Sequence, residues 1–397
     1  MCQRKTVPLK ITQLTHHDLD GYGASTVVAS YAEVSRVVHV PRYSDVGGVV
    51  DIELQRLTRA KEPELLIMTD LGLEPVAVTF IKAFAAMNQK RTTDQHHRLI
   101  VLDHHASSID QLGAQGLLPM PTPMEGWPSL KRFSLDDEAI VVMIDDTRCA
   151  TRMAQDHHAL YATTTPAPQV ATALATLVEA IDAVDLWRKD RPIFRQALVL
   201  DEVFWDNVSG FIPLDHPGHD GFIAHLLLGM ATRLGGGATP AEIERESGSL
   251  RASVIDAMVA GQPGDDPSLT TRMRIAPLLA RSPALFRRLK NGAKLSFGLD
   301  AGTFQRVSDA IMVSGDAPLV INVQRSGSMS FRSNNETALE AARLFRGGGH
   351  KDASGGRLIS GAVSSLADAV AQVEPVLDPP KPDLSSNPFA ALQKLKT

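Results

Sequence analysis

Over the first third of the chain, apolar residues come in short runs separated by stretches with helical spacing. That alternation is the pattern of a mostly parallel sheet flanked by helices. It predicts strands over residues 7–15, 37–40, 64–70, 98–103 and 140–145, with helices between most of them. Residues 106–138 carry Pro119, Pro121, Pro123 and Pro128 and read as a long irregular excursion. From 148 to 187 apolar positions recur three and four apart, which predicts helix except near 163–168. The middle, 188–265, is rich in aromatics, Gly and Pro at first and more helical from Pro240. Strand signals return at 318–324, 329–333 and 357–360, with a helix over 336–345.

At 397 residues the chain is too long for one ordinary core. Pattern and length together predict an α/β protein. Its N-terminal domain, 1–190, is a mostly parallel sheet flanked by helices. A connector or cap covers 191–265, a smaller C-terminal α/β domain 266–376, and a disordered Pro- and Ser-rich tail 377–397. A net charge of −5 gives no global reason to bind long nucleic acid and leaves a short anionic substrate open. Two cysteines, Cys2 and Cys149, cannot build a disulfide framework. No apolar run approaches the ~20 residues that span a bilayer, so a cytoplasmic location away from membranes is expected.

The chemistry is concentrated where predicted strands end. The first runs into His16-His17-Asp18-Leu19-Asp20-Gly21, the third into Asp70, and the fourth into Asp103-His104-His105. In an open parallel sheet the carboxyl ends of the strands share one edge, and ligands bind in the crevice there. Acids and imidazoles crowded on that rim would repel and desolvate one another unless cations sat among them. Oxygen and imidazole donors without thiolate suit manganese, with magnesium or cobalt as alternatives. Two such ions would clamp an in-line displacement at phosphorus, so phosphoryl hydrolysis is the expected reaction. A single Asp at a strand end is more often a helix cap or turn former; three such ends in order outweigh that alternative.

Other polar clusters carry less. Asp156-His157-His158 repeats an acid followed by two histidines, but no strand feeds it, and it is assigned to a solvated helix face. His216, His219 and Asp220 are assigned to a polar turn around Pro217 and Gly218. Arg281, Arg287, Arg288, Lys290 and Lys294 are expected on a solvated helix face.

The order His16-x-Asp18-x-Asp20-Gly21, Asp70, Asp103-His104-His105 resembles the DHH phosphoesterase superfamily. Independently, the run from Gly347 through His350 to Gly356 resembles the glycine-rich signature of the DHHA1 domain found in one branch of that superfamily. The resemblance implies that His16 and Asp18 hold one metal and Asp20 the other, that Asp70 bridges both, and that His104 is a further ligand. It implies that His105 faces the scissile phosphate, and that Asp103 is either a supporting metal ligand or a partner just behind the ligands. A fourth acid follows a helix in such proteins; Asp185 is favoured, because an Asp two residues before Trp resembles the nanoRNase-like members, with Asp182 as its neighbour. Arg332 and Ser333 match a substrate-binding pair, and Gly348, Gly349 and His350 are expected to bind phosphate through backbone amides and imidazole.

The substrate implied is a short single-stranded oligonucleotide or a linear dinucleotide, cut to nucleoside monophosphates, with room for a homodimer. Rival readings are a RecJ-like exonuclease on single-stranded DNA, which would need a long basic channel, a 3′-phosphoadenosine phosphatase, and a nucleotide sensor without turnover.

Overall fold

The protein is described here by a computed structural model covering residues 9–121, 124–359 and 361–379. Cys2 and nearly all of the expected tail lie outside the described residues. Two compact units are present: the chain up to Val208 together with Asp220–Val254, and Ser209–His219 together with the chain from Ile255 onward. The segment 191–265 is thus divided between them.

In chain order the first unit contains β1 (Lys10–His16), α1 (Leu19–Tyr31), β2 (Val34–Val40), α2 (Val46–Arg59), β3 (Glu64–Thr69), α3 (Pro75–Asn88), β4 (Arg98–Asp103), α4 (Ala106–Ala114), β5 (Lys131–Phe133), β6 (Ile140–Ile144), α5 (Ala150–Asp156) and α6 (Pro168–Asp185). Helices α7 (Phe194–Val208), α8 (His219–Gly235) and α9 (Pro240–Val259) follow, α9 running on into the second unit. The strand order is β2-β1-β3-β4-β6-β5, parallel throughout except for β5.

Alternation along each strand explains the two-faced burial. Leu66, Met68, Leu99 and Val101 pack on α2 and α3 through Val50, Leu57, Phe80 and Phe84. Leu65, Ile67, Ile100 and Leu102 pack on the other face against Val27, Val28, Met153 and Leu174. The chain leaves β1 for one edge and β3 for the other, so the strand order reverses between these neighbours. Their carboxyl ends are therefore where a binding crevice forms.

The structure departs from the predicted elements in several places. Residues 106–138 are not wholly irregular: Ile109 and Leu112 of α4 pack on the sheet before the prolines begin. The break in the 148–187 helix is longer than predicted, because α5 ends at Asp156 and α6 starts only at Pro168. Pro168 suits that first position, where a missing N–H costs nothing.

The second unit has α10 (Thr271–Ala280), β7 (Phe286–Arg288), β8 (Lys294–Phe297), α11 (Ala301–Val313), β9 (Leu319–Val323), β10 (Ser328–Ser333), α12 (Ala338–Leu344), β11 (Gly348–His350), β12 (Ala353–Arg357) and α13 (Leu366–Leu377). Its strands are ordered β11-β12-β10-β9-β8-β7, mixed in direction. Ile321, Val323, Met329 and Phe331 face α12 and α13. The last strand is the glycine-rich ASGGR and not the predicted 357–360, because pairing with β10 and β11, not side-chain propensity, fixes it. The basic cluster does not share a helix face: Arg288 and Lys294 flank the β7–β8 turn and both pair with Asp316, while Lys290 pairs with Glu374 at 3.6 Å.

Candidate metal centre

β1 delivers His16 to the rim, and the chain turns at once into α1. Asp18 caps that helix with one oxygen, accepting the Gly21 amide at 3.0 Å, while its other oxygen lies 2.5 Å from His16 Nδ1. Capping and site chemistry thus use different atoms of one residue. The glycines after it are dictated by space. A Cβ on Gly21 would lie 2.1 Å from the His16 carbonyl oxygen, and one on Gly23 would lie 2.3 Å from the Thr151 hydroxyl.

Asp20 turns inward and is buried. Both its oxygens are held by the start of α5, accepting the amides of Ala150 at 2.7 Å and Thr151 at 2.8 Å. A helix N-terminus favours such an anion. At the end of β3, Asp70 adopts a left-handed φ of +55°. One of its oxygens lies 3.2 Å from His104 Nε2; the other is buried with no hydrogen-bond partner. His104 Nε2 is also 3.6 Å from Asp20, and its Nδ1 is 3.7 Å from Asp185 at the end of α6.

Among the described residues, three sets of side chains converge closely enough to hold a cation: His16, Asp18 and Asp70; Asp20, His104 and Asp185; and Asp70, His104 and His105. In each set the donor atoms lie within 4.8 Å of one another. The rim acids and imidazoles named from sequence therefore meet, with one distinction. Asp103 is fully buried behind the rim, 2.7 Å from His105 Nδ1, and accepts the Ser108 hydroxyl at 2.5 Å.

The charges reflect this crowding. Burial, then the carboxylates of Asp20 and Asp18, raise Asp70 far above the usual carboxylate range. Burial and the same two neighbours push Asp185 up to about 8. Burial would also raise Asp18, but the hydrogen bond and charge of His16, with the Gly21 amide, outweigh it and bring it down to about 2. For His105 burial favours the neutral ring, yet the Asp103 hydrogen bond and charge prevail and raise its pKa.

Asp182 is not part of the centre. It is buried, accepts the Cys149 amide at 3.1 Å and pairs with Arg152 and Arg188. The repeat at Asp156 is likewise elsewhere, though not on a solvated face: His157 is buried against Trp127, ring centres 4.8 Å apart. His216 and His219 bond locally, to the Gly218 amide and the Ile212 carbonyl, whereas Asp220 joins His39 at 2.8 Å. Sequence reasoning missed Tyr43, whose ring stacks on His16 and whose hydroxyl is 3.0 Å from His105 Nε2.

In the second unit, the strand register sets His350, Ala353 and Arg332 in one row across β11, β12 and β10. Paired residues share a face, and the small Ala353 leaves space between the guanidinium and the imidazole. Arg332 donates to Gln305 at 2.8 Å and lies over Phe304 of α11. Ser333 is buried and committed: its hydroxyl donates to Asp352 at 2.6 Å and accepts the Ala338 amide at 3.0 Å. The glycine run is not the helix cap. Arg346 takes the left-handed position after α12, and the Gly347 amide donates to Ala342 at 2.9 Å. A Cβ on Gly347 would lie 2.0 Å from the Gly355 carbonyl oxygen and one on Gly349 2.7 Å from that of Ala353, whereas Gly348 is open-sided.

Fold and site together define an α/β protein with a carboxylate–imidazole centre suited to divalent cations. No protein-family model matches the chain. Over 360 residues, 88% of this chain and 93% of the relative, it is 21% identical to a Helicobacter pylori protein named 3′,5′-cyclic-nucleotide phosphodiesterase. The crystal structure of an uncharacterized protein from Helicobacter pylori G27 superposes with a TM-score of 0.68 at 19% identity, covering 93% of this chain and 99% of that one, so the fold is shared. A pGpG-specific phosphodiesterase from Vibrio cholerae aligns over the same shares at 13% identity, with a TM-score of only 0.27. No helix among the described residues is long and apolar enough to cross a membrane.

Proposed function

We propose that the protein is a divalent-cation-dependent phosphodiesterase of the DHH/DHHA1 type, acting on short oligonucleotides and linear dinucleotides. The observation that carries this reading is the buried, unpartnered oxygen of Asp70, set between two groups of imidazoles and carboxylates. A carboxylate so placed is costly unless a cation meets it. His16, Asp18 and Asp70 would take one ion and Asp20, Asp70, His104 and Asp185 the other, with manganese first among candidates and magnesium or cobalt next. Two ions bound there would supply the positive charge that offsets a phosphodiester's own and makes a water more acidic.

The remaining work falls to the chain. Asp103, fixed by Ser108, orients His105 through Nδ1 and favours its protonated form. A proton held on Nε2 can pass to the leaving oxygen. In the second unit, taken by itself, Arg332 and the His350 imidazole are donors suited to a phosphate beside open-sided Gly348, while Ser333 holds β10 to Asp352 and α12. The name of the Helicobacter relative supports a phosphodiesterase and makes 3′,5′-cyclic nucleotides the second substrate class.

The test is product formation over time by the purified chain, with manganese, magnesium or cobalt, on a two-nucleotide RNA, a cyclic mononucleotide and single-stranded DNA. Nucleoside monophosphate from the dinucleotide is the expected result. No product with any metal would overturn the proposal and favour a nucleotide sensor.

A further inference from the structure

We propose that Trp187 and the cavity beside it form a nucleobase subsite, in which the indole stacks on the base of a nucleotide whose phosphodiester lies at the carboxylate–imidazole centre. The proposal rests on the phosphodiesterase reading and adds what the substrate must carry beside its phosphate.

Trp187 is 59% exposed, a large share for an indole. Its φ is +53°, in the left-handed region where a side chain is strained. The reason is local. α6 ends in a Schellman cap, with the Arg188 amide donating to Ala183 at 2.8 Å and the Trp187 amide to Val184 at 3.2 Å. The left-handed residue of such a cap is usually glycine. Helix termination would be better served by glycine here, so the cap gives no reason for an indole, and strain of this kind points to function. The ring is also held in place: Phe194 meets it edge-on at 5.3 Å and the Lys189 ammonium lies 5.1 Å from its centre.

Trp187 lines a cavity of about 270 Å³ with Asp18, Asp20, Asp185 and Asp201. Three of these acids belong to the metal-competent groups; Asp201, from α7, does not. The lining holds four carboxylates and no Lys, Arg or His, and Lys189 lies over the indole rather than in the lining, so a second phosphate here would face Asp201. The occupant is therefore the uncharged part of a nucleotide. A flat heterocycle suits the indole face, and a base edge that donates N–H suits the Asp201 carboxylate.

The test measures binding of GMP and of ribose 5-phosphate to the full chain with manganese, by calorimetry, and the KM for a dinucleotide. Trp187→Gly is expected to weaken GMP binding and raise the KM by about tenfold or more, the usual worth of one stacked base. Trp187→Phe should retain most of the affinity, and ribose 5-phosphate should bind all three proteins alike. Because glycine relieves the left-handed strain, the Tm of Trp187→Gly should not fall, which separates stacking from a structural role. Equal losses for GMP and ribose 5-phosphate, or an unchanged KM, would overturn the subsite while leaving the phosphodiesterase reading standing. Trp187-dependent GMP binding without hydrolysis of any phosphodiester would instead support the subsite and remove that reading.

Discussion

The hydroxyl of Tyr43 lies 3.0 Å from Nε2 of His105 while its ring stacks on His16, centroids 4.9 Å apart. Asp103 holds the other nitrogen of His105, so the imidazole is gripped at both ends. Gly72 leaves the room: a Cβ there would come within 3.3 Å of the tyrosine ring. Tyr43→Phe keeps the stack and frees Nε2. It should lower kcat by about tenfold, the worth of one strong hydrogen bond, with manganese affinity little changed. Steady-state kinetics and metal titration check this, and a large loss of metal affinity would mean that the phenol acts through His16.

Asp182 and Asp185 lie three residues apart on α6 yet differ in surroundings. Asp182 is buried and shared by Arg152, Arg188 and the Cys149 amide; Asp185 faces His104. Asp182→Ala strands three donors and should cost about 2–4 kcal/mol of stability. Its effect on manganese binding should be no more than about tenfold, acting through the start of α5 that holds Asp20. Asp185→Ala should do the reverse, costing little stability and most of the metal affinity. Denaturant titration and calorimetry on both variants would show which acid serves the centre.

What the sequence revealed and what it hid have physical causes. Acids directly after apolar runs mark strand ends, so the sequence places His16, Asp70 and His104 on one rim, while nothing in it shows that Asp103 is buried behind that rim. The resemblance favours Asp185 through its place before Trp187, but the different surroundings of Asp182 leave no mark in the sequence, because both lie on one helical face. Tyr43 gave no signal: it sits in the short 3-10 turn Tyr43–Asp45 ahead of α2, and His105 is 62 residues away. The amides that hold Asp20 are backbone groups and leave no side-chain signature. His157 looked solvated because nothing in the sequence placed Trp127 against it.

His97 offers a test of the fold that is independent of metal. It is fully buried, accepting the Glu64 amide at Nδ1 and donating from Nε2 to the Leu57 carbonyl, each at 3.0 Å. That pattern requires the neutral ring. Burial first, and Arg91 next, lower its pKa below 6.5. An unfolded histidine therefore takes up a proton near pH 6.5 that the folded one refuses. The stabilisation is complete above that pH and is lost as pH falls through the lower folded value. His97→Ala should cost about 2–3 kcal/mol at pH 7.5. The gap to wild type should narrow by pH 5, as read by urea denaturation at each pH.

Asp70 joins two donor groups, and replacing it separates binding from folding. In the metal-free protein its buried carboxyl is held far above the ordinary range, so ionising it at neutral pH opposes folding. Asp70→Asn keeps the shape and removes that cost, so the metal-free variant should be at least as stable as wild type. Added manganese should raise the Tm of wild type, since a ligand at about 100 times its Kd stabilises by about 2.7 kcal/mol. The variant should gain far less. Hydrolysis should fall by more than the roughly 10–100-fold typical of losing a group behind the ligands. A manganese-induced Tm rise equal to that of wild type would show that Asp70 is not a ligand, even if activity were lost.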